Sequence, residues 1–176
     1  MHIEPTPIPG CHVVRPQRHA DARGYFARAW DGETFAAAGL RGDLDQISVS
    51  FNAAAATLRG MHMQRAPHAE AKLVRCVRGA VWDVCLDLRP DSPTRGRWHA
   101  EHLDAENGAA LYVPEGCAHG FVTLEDASEV LYCIAGRYAP TAGWGVRWDD
   151  PAFGIAWPMA PRVMNERDAS YPDWTG

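Results

Sequence analysis

Residues 80–88, Ala-Val-Trp-Asp-Val-Cys-Leu-Asp-Leu, alternate apolar and polar positions with a period of two. Trp82, Val84, Leu86 and Leu88 fall on one face and Asp83 and Asp87 on the other, the pattern of a two-faced strand. Similar runs recur at 10–15, 24–30, 46–51, 71–78, 97–103, 109–113, 119–124 and 128–135. Turn signals separate them, among them Arg78-Gly79, Pro90-Asp91-Ser92-Pro93, Glu106-Asn107-Gly108, Pro114-Glu115-Gly116 and Asp149-Asp150-Pro151. Many short strands at spacings of roughly 8–12 residues predict a β-sandwich or barrel. One helix is expected, with Asp31 as N-cap, a turn through Glu33, Phe35 and Ala36–Ala38, and Gly39 to stop it. Ala53–Ala56 reads as a loop. After Trp148 the chain becomes irregular and rich in Pro, Trp and Met, as a tail packed over the barrel would be. No linker, repeat or second hydrophobic unit interrupts this order. Residues 1–176 therefore read as a single domain, with an N-terminal strand region, a barrel and a C-terminal tail.

Composition narrows the function classes. Apolar residues make up 47% of the 176 and charged residues 22%, ordinary values for a globular enzyme. A net charge of −5 with no basic run argues against nucleic acid as partner, while leaving room for a small anion in a local Arg/Lys pocket. The five cysteines are scattered, odd in number and contain no CxxC pair; three of them sit inside runs that read as strands, where a free thiol is usually a small core hydrophobe. No charged segment followed by an apolar stretch opens the chain, and no run of about 18 apolar residues could span a bilayer. A reducing cytoplasm, with no membrane association, is the expected setting.

Candidate chemistry sits in two segments. One is Leu58-Arg59-Gly60-Met61-His62-Met63-Gln64, continuing through Glu70-Ala71-Lys72-Leu73-Val74-Arg75 to Gly79; the other is Leu111-Tyr112-Val113-Pro114-Glu115-Gly116-Cys117-Ala118-His119-Gly120-Phe121. The second resembles the PxGxxH half of the cupin signature, in which a Pro/Gly turn delivers a histidine into a barrel mouth. The first half of that signature would carry a second histidine and a glutamate. Here Gln64 takes the histidine's place, and Lys72 stands seven residues before Gly79 where the glutamate belongs. A divalent cation prefers imidazole and carboxylate ligands, and an ammonium among them repels it. The expected pocket is therefore metal-free and attracts an anion. A lone histidine on a strand is more often satisfied by its neighbours than catalytic, and His2, His12, His19, His68, His99 and His102 are left in that class. The flanking motifs lift His62 and His119 out of it.

Further segments make the resemblance specific: Arg23-Gly24-Tyr25-Phe26, Lys72-Leu73-Val74-Arg75, Asp87-Leu88-Arg89, Leu131-Tyr132, Trp148-Asp149-Asp150-Pro151 and Ile155-Ala156-Trp157-Pro158. In this order and spacing the chain resembles the dTDP-4-dehydrorhamnose 3,5-epimerase family over nearly its whole length. The resemblance implies an all-β cupin double-stranded β-helix (jelly roll) with a few short peripheral helices. It also implies an isomerase needing no cofactor, which inverts C3 and C5 of a nucleotide-diphosphate 4-ketosugar. By the same resemblance His62 is the base, Asp168 orients it, Lys72 stabilises the oxyanion and Tyr132 is the proton donor. Arg59 and His119 match nucleotide-sugar contacts, Gln46 and Ser48 polar nucleotide contacts, Tyr138 a ring that stacks on the base, and Arg167 a basic ligand contact. Arg23 matches a residue that reaches the ligand from a partner subunit, which implies a homodimer. Two positions depart from the family pattern, Arg28 and Gly143, each where a glutamate is usual; Arg28 is expected on the ligand side, adding positive charge there. Three other readings stay open: a single-centre (C3 or C5) epimerase, a metal-dependent cupin enzyme, and a sugar-binding protein without activity.

Overall fold

The computed structural model of the protein describes residues 1–176. Its elements run β1 (His2–Pro5), β2 (His12–Arg15), β3 (Arg18–Asp21), β4 (Gly24–Ala27), α1 (Gly32–Ala37), β5 (Gln46–Asn52), β6 (Leu58–Gln64) and β7 (Ala71–Arg78). They continue with β8 (Ala80–Asp87), β9 (Trp98–Asp104), β10 (Ala110–Val113), β11 (Cys117–Thr123), β12 (Ser128–Ala135), β13 (Gly143–Gly145) and α2 (Glu166–Ala169). Two antiparallel sheets form the expected jelly roll, one in the order β1-β2-β10-β7-β12-β5 and the other in the order β13-β6-β11-β8-β9. The β3–β4 hairpin belongs to neither. No helix is long and apolar enough to cross a membrane.

The interior is closed by residues such as Val13, Val74, Val81, Leu111, Phe121 and Val130, contributed by both sheets. Cys11, Cys76, Cys85 and Cys117 are buried free thiols. Asp31 caps α1 as the sequence predicts, its side chain accepting from the Thr34 N–H, and Gly39 follows the helix at φ +73°.

The strand at 80–88 corrects a simpler expectation. Its alternation divides two buried faces rather than a core face from a solvent face. Val81 and Cys85 point into the barrel, so Asp83 and Asp87, which share their face, are buried there. Trp82, Val84, Leu86 and Leu88 face outward and are covered by the chain after β13, through Val146, Phe153, Trp157 and Trp174. The tail therefore packs over the barrel, as expected, and supplies a second apolar layer. Burying a carboxylate demands partners. Asp87 has a full set, accepting from the Arg89 guanidinium and backbone N–H and from the Ser92 and Thr94 hydroxyls. That network holds its carboxyl far below the ordinary range despite the opposing effect of burial.

Strand β5 reverses the usual sidedness. Gln46, Ser48 and Ser50 turn toward a cavity between the sheets, while Ile47, Val49 and Phe51 lie exposed on the outer side. Because β5 is the last strand of its sheet, this apolar stripe stands at an open edge.

Several elements went unpredicted for identifiable reasons. Strand β3, Arg-His-Ala-Asp, is exposed throughout and has no alternation to read. Strand β6 carries Gly60 in its middle, which weakens a strand pattern. Strands β1 and β13 and helix α2 are only three or four residues long.

Candidate active site

Gly60 and Gly120 set the position of both motif histidines. A Cβ on Gly60 would lie 2.5 Å from the Gly120 Cα, and one on Gly120 would lie 2.6 Å from the Met61 Sδ. Gly60 also has φ +130°, a conformation that penalises any side chain. Strands β6 and β11 thus approach more closely than side chains permit, and His62 pairs directly with His119 across them.

Around this pair a cavity of roughly 360 Å³ opens between the two sheets. Gln46 and Ser48 reach it from β5, Arg59 and His62 from β6, Lys72 from β7, His119 from β11 and Tyr132 from β12, with Tyr138 and Asp168 supplied by later segments. These residues, scattered over more than a hundred positions of sequence, are brought together by the fold. A larger cleft of about 650 Å³ lies outside the barrel under the C-terminal tail, lined by Trp144, Tyr171 and Trp174 among others. None of the predicted site residues lines it, so its size does not make it the centre of the chemistry.

His62 Nε2 lies 2.6 Å from Asp168 Oδ1, and the Gly60 N–H donates to Asp168 Oδ2 at 3.0 Å. Asp168 is fully buried, although a tail aspartate on sequence grounds alone would be solvent-exposed. Its place is fixed by α2, whose N-cap Asn165 accepts from the Asp168 backbone N–H. Burial alone would raise the Asp168 carboxyl, but the hydrogen bonds from His62 and Gly60 outweigh it and hold the group below its ordinary value. A carboxylate that stays ionised accepts only, so His62 carries its hydrogen on Nε2 and leaves Nδ1 as the nitrogen able to take a proton. The Tyr171 ring packs edge-on against the imidazole, with centroids 6.5 Å apart.

Tyr132 stands against His119 with ring centroids 5.7 Å apart. Burial pushes its hydroxyl well above the ordinary tyrosine value, and the negative charge of Asp83 adds to the effect while Arg59 opposes it. The phenol is thus held protonated at neutral pH.

Lys72 modifies the charge argument made from sequence. Its Nζ pairs with Glu70 Oε1 at 3.0 Å, both side chains being about nine-tenths buried, and it also donates to the His62 carbonyl. The glutamate-to-lysine exchange in the signature is therefore offset locally by Glu70. Gln64, in the other altered position, donates to Glu70 and to the His68 and Arg137 carbonyls and accepts from the Ala139 N–H. It braces the loop that carries Tyr138. Arg59 is the lining cation with no carboxylate in ion-pair reach; its guanidinium donates to Asn52 Oδ1 at 2.7 Å. The anion-attracting charge rests on Arg59 more than on Lys72.

Three predicted residues are not brought into this cavity. Arg23 sits at the tip of the β3–β4 hairpin, paired with Asp21 and almost wholly exposed. Arg28 pairs with Asp31 and lines a separate hollow with His19 and Phe26, so within one chain the expectation of a ligand-side Arg28 is not met. Arg167 lies over the Tyr171 ring, and a Cβ on Gly143 would be 3.7 Å from its Nη2. Conversely, Ser50, Glu70, Ile134 and Asn165 line the cavity without having been singled out. Ser50 continues the Gln46, Ser48 period and was legible from it. Glu70 and Asn165 lie in loops, where no period operates. No group of three or more His, Cys, Asp or Glu side chains converges as a metal-binding set.

Comparison with known proteins gives one consistent result. The sequence profile described as dTDP-4-dehydrorhamnose 3,5-epimerase matches residues 5–175. A protein of that description from Sinorhizobium fredii is 41% identical over 177 residues, covering 98% of this chain and 89% of the relative. Among solved structures, the dTDP-4-dehydrorhamnose 3,5-epimerase of Bacillus anthracis, with TDP and pyrophosphate bound, superposes with a TM-score of 0.94 at 34% identity, covering 98% of this chain and 99% of the other. A 3′-monoepimerase from Streptomyces bikiniensis, in complex with dTDP-quinovose, superposes with a TM-score of 0.89 at 35% identity, covering 97% and 86%.

Proposed function

The chain belongs to the dTDP-4-dehydrorhamnose 3,5-epimerase family, and from that premise we propose that it converts dTDP-4-dehydro-6-deoxy-D-glucose to dTDP-4-dehydro-L-rhamnose. Both C3 and C5 of that sugar flank the C4 keto group, so loss of either proton gives an enolate. Inversion then needs a base, a stabiliser for the enolate oxygen, and an acid on the opposite face. The observation that carries the reading is the His62–Asp168 pair opening on the same cavity as Lys72 and a partly buried, protonated Tyr132.

His62 Nδ1 takes the proton from carbon, and Asp168 steadies the imidazolium that forms. Lys72, held in place by Glu70, stabilises the enolate oxygen from inside the barrel by donating a hydrogen bond to it. Tyr132 returns a proton to the other face. Arg59, free of carboxylate partners, suits the pyrophosphate. Gln46 and Ser48 suit polar groups of the nucleotide, and the exposed ring of Tyr138 suits stacking on its base. The B. anthracis relative with TDP and pyrophosphate bound supports a nucleotide-diphosphate ligand.

The active assembly in this reading is a homodimer. The apolar stripe Ile47, Val49 and Phe51 on an open sheet edge supports it, and so does the exposed hairpin carrying Arg23, Tyr25 and Phe26. Arg23 enters the partner's cavity, and Arg28, on the same ribbon, comes nearer to ligand there than in its own chain. Five free thiols suit the cytoplasm.

A second reading keeps the same base and acid but inverts one centre only. The likeness to a 3′-monoepimerase favours keeping it, as does Gly143, which leaves space beside Arg167 where the family pattern has a glutamate. Product analysis separates the two. The enzyme is incubated with dTDP-4-dehydro-6-deoxy-D-glucose, the mixture reduced with borohydride, and the released sugars identified. L-Rhamnose among them supports double inversion; 6-deoxyhexoses of D configuration alone contradict it.

A further inference from the structure

The barrel holds a second histidine–carboxylate pair that the proton transfers proposed above do not use. His119 Nε2 lies 2.8 Å from Asp83 Oδ1. Both residues are buried, His119 lining the cavity and Asp83 standing behind it on β8 with no exposed surface. Strands β8 and β11 carry the pair side by side, so neither member depends on a mobile loop for its place.

Asp83 differs from Asp87, which shares its strand and face. Asp87 is satisfied by an arginine, two hydroxyls and a backbone N–H. Asp83 has His119 alone, and its Oδ2 is buried without a partner. A carboxylate kept inside a barrel with so few partners opposes folding, so packing gives no reason for it. Its consequence falls on His119. Because the carboxylate only accepts, the hydrogen of His119 sits on Nε2, and Nδ1 has no partner within the protein. In that tautomer Nδ1 presents a lone pair to the cavity. A phosphate or ketone oxygen has no hydrogen to give it, whereas a sugar hydroxyl has.

We infer that Asp83 is a positioning residue that fixes the Nε2–H tautomer of His119, so that Nδ1 accepts a hydrogen bond from a hydroxyl of the bound hexose. The inference rests on the nucleotide-ketosugar reading above and assigns His119 to the sugar ring rather than to the phosphates.

The test combines nitrogen-15 NMR of the histidine rings with steady-state kinetics on dTDP-4-dehydro-6-deoxy-D-glucose, the His119 signals being assigned by comparison with His119→Gln. Wild-type protein should show the Nε2–H tautomer. Asp83→Val, which removes the acceptor, should leave the ring with a mixture of tautomers in place of Nε2–H alone and raise KM about tenfold, with a much smaller change in kcat. Asp83→Asn keeps an acceptor oxygen and should restore both the tautomer and KM. An Nδ1–H or doubly protonated ring in the wild type overturns the inference, as does an Asp83→Asn enzyme as impaired as Asp83→Val. Should Asp83→Val fail to fold by circular dichroism, the wild-type and Asp83→Asn spectra and KM values still decide. The tautomer is read without turnover, so a failure of the substrate assignment would appear separately, as absence of product from the wild type.

Discussion

Tyr132 and His62 divide the proposed inversion between them, and their environments suit opposite tasks. His62 is half-exposed and tied to an ionised carboxylate; Tyr132 is partly buried against the core, with its hydroxyl pushed toward staying protonated. Removing the acid should therefore separate exchange from inversion. In Tyr132→Phe the base can still take a proton and return it to the same face. Deuterium from D2O should then enter the substrate by NMR while inverted product falls by two orders of magnitude or more. Asp168 makes a different prediction, about stability. Its carboxyl lies lower in the folded protein than in the unfolded chain, so the stabilisation is full above the unfolded value of about 3.9 and is lost as pH falls below it. Acid titration followed by circular dichroism should show wild type losing structure below about pH 4, and Asp168→Asn should lack that part of the pH dependence. At this scale the sequence spoke clearly where a motif surrounded the residue, as for His62, Lys72 and His119. It was silent on Asp83, because alternation reveals which residues share a face but not whether that face looks inward or out.

Between elements, the decisive feature is the close approach of β6 and β11. Gly60→Ala would place a methyl group against backbone atoms of Gly120 in a conformation that resists side chains. Neither strand can yield without moving a histidine. Urea denaturation should show a loss of about 2–3 kcal/mol, and epimerase activity should fall with it even where the protein remains folded. The strand pattern was readable for most of the barrel because apolar residues recur at period two from 71 to 135. It failed where other forces set the conformation: the polar strand β3, the glycine-containing β6, and α2, which is held by the Asn165 cap and the buried Asp168 rather than by any helical periodicity. The loop residues Glu70 and Asn165 entered the site for the same reason, through hydrogen bonds that sequence spacing does not encode.

Across the whole molecule, the proposed homodimer has one chain completing another's site, with the exposed stripe on β5 and the exposed hairpin as the surfaces free to join. Mixing two inactive variants tests this. A heterodimer of His62→Ala and Arg23→Ala chains contains one site with both residues intact if Arg23 acts in the partner, and none if it acts in its own chain. Recovered activity in refolded mixtures supports the shared site; no recovery contradicts it. The central claim, that one cavity moves protons on both sides of a ketone, is tested most directly by isotope exchange. The protein is incubated with dTDP-4-dehydro-6-deoxy-D-glucose in D2O, and C3 and C5 are followed by NMR. Deuterium is expected at both carbons, and at neither in His62→Ala that retains its fold; exchange at a single carbon, at neither, or undiminished without His62 would contradict proton transfer by His62 at both centres.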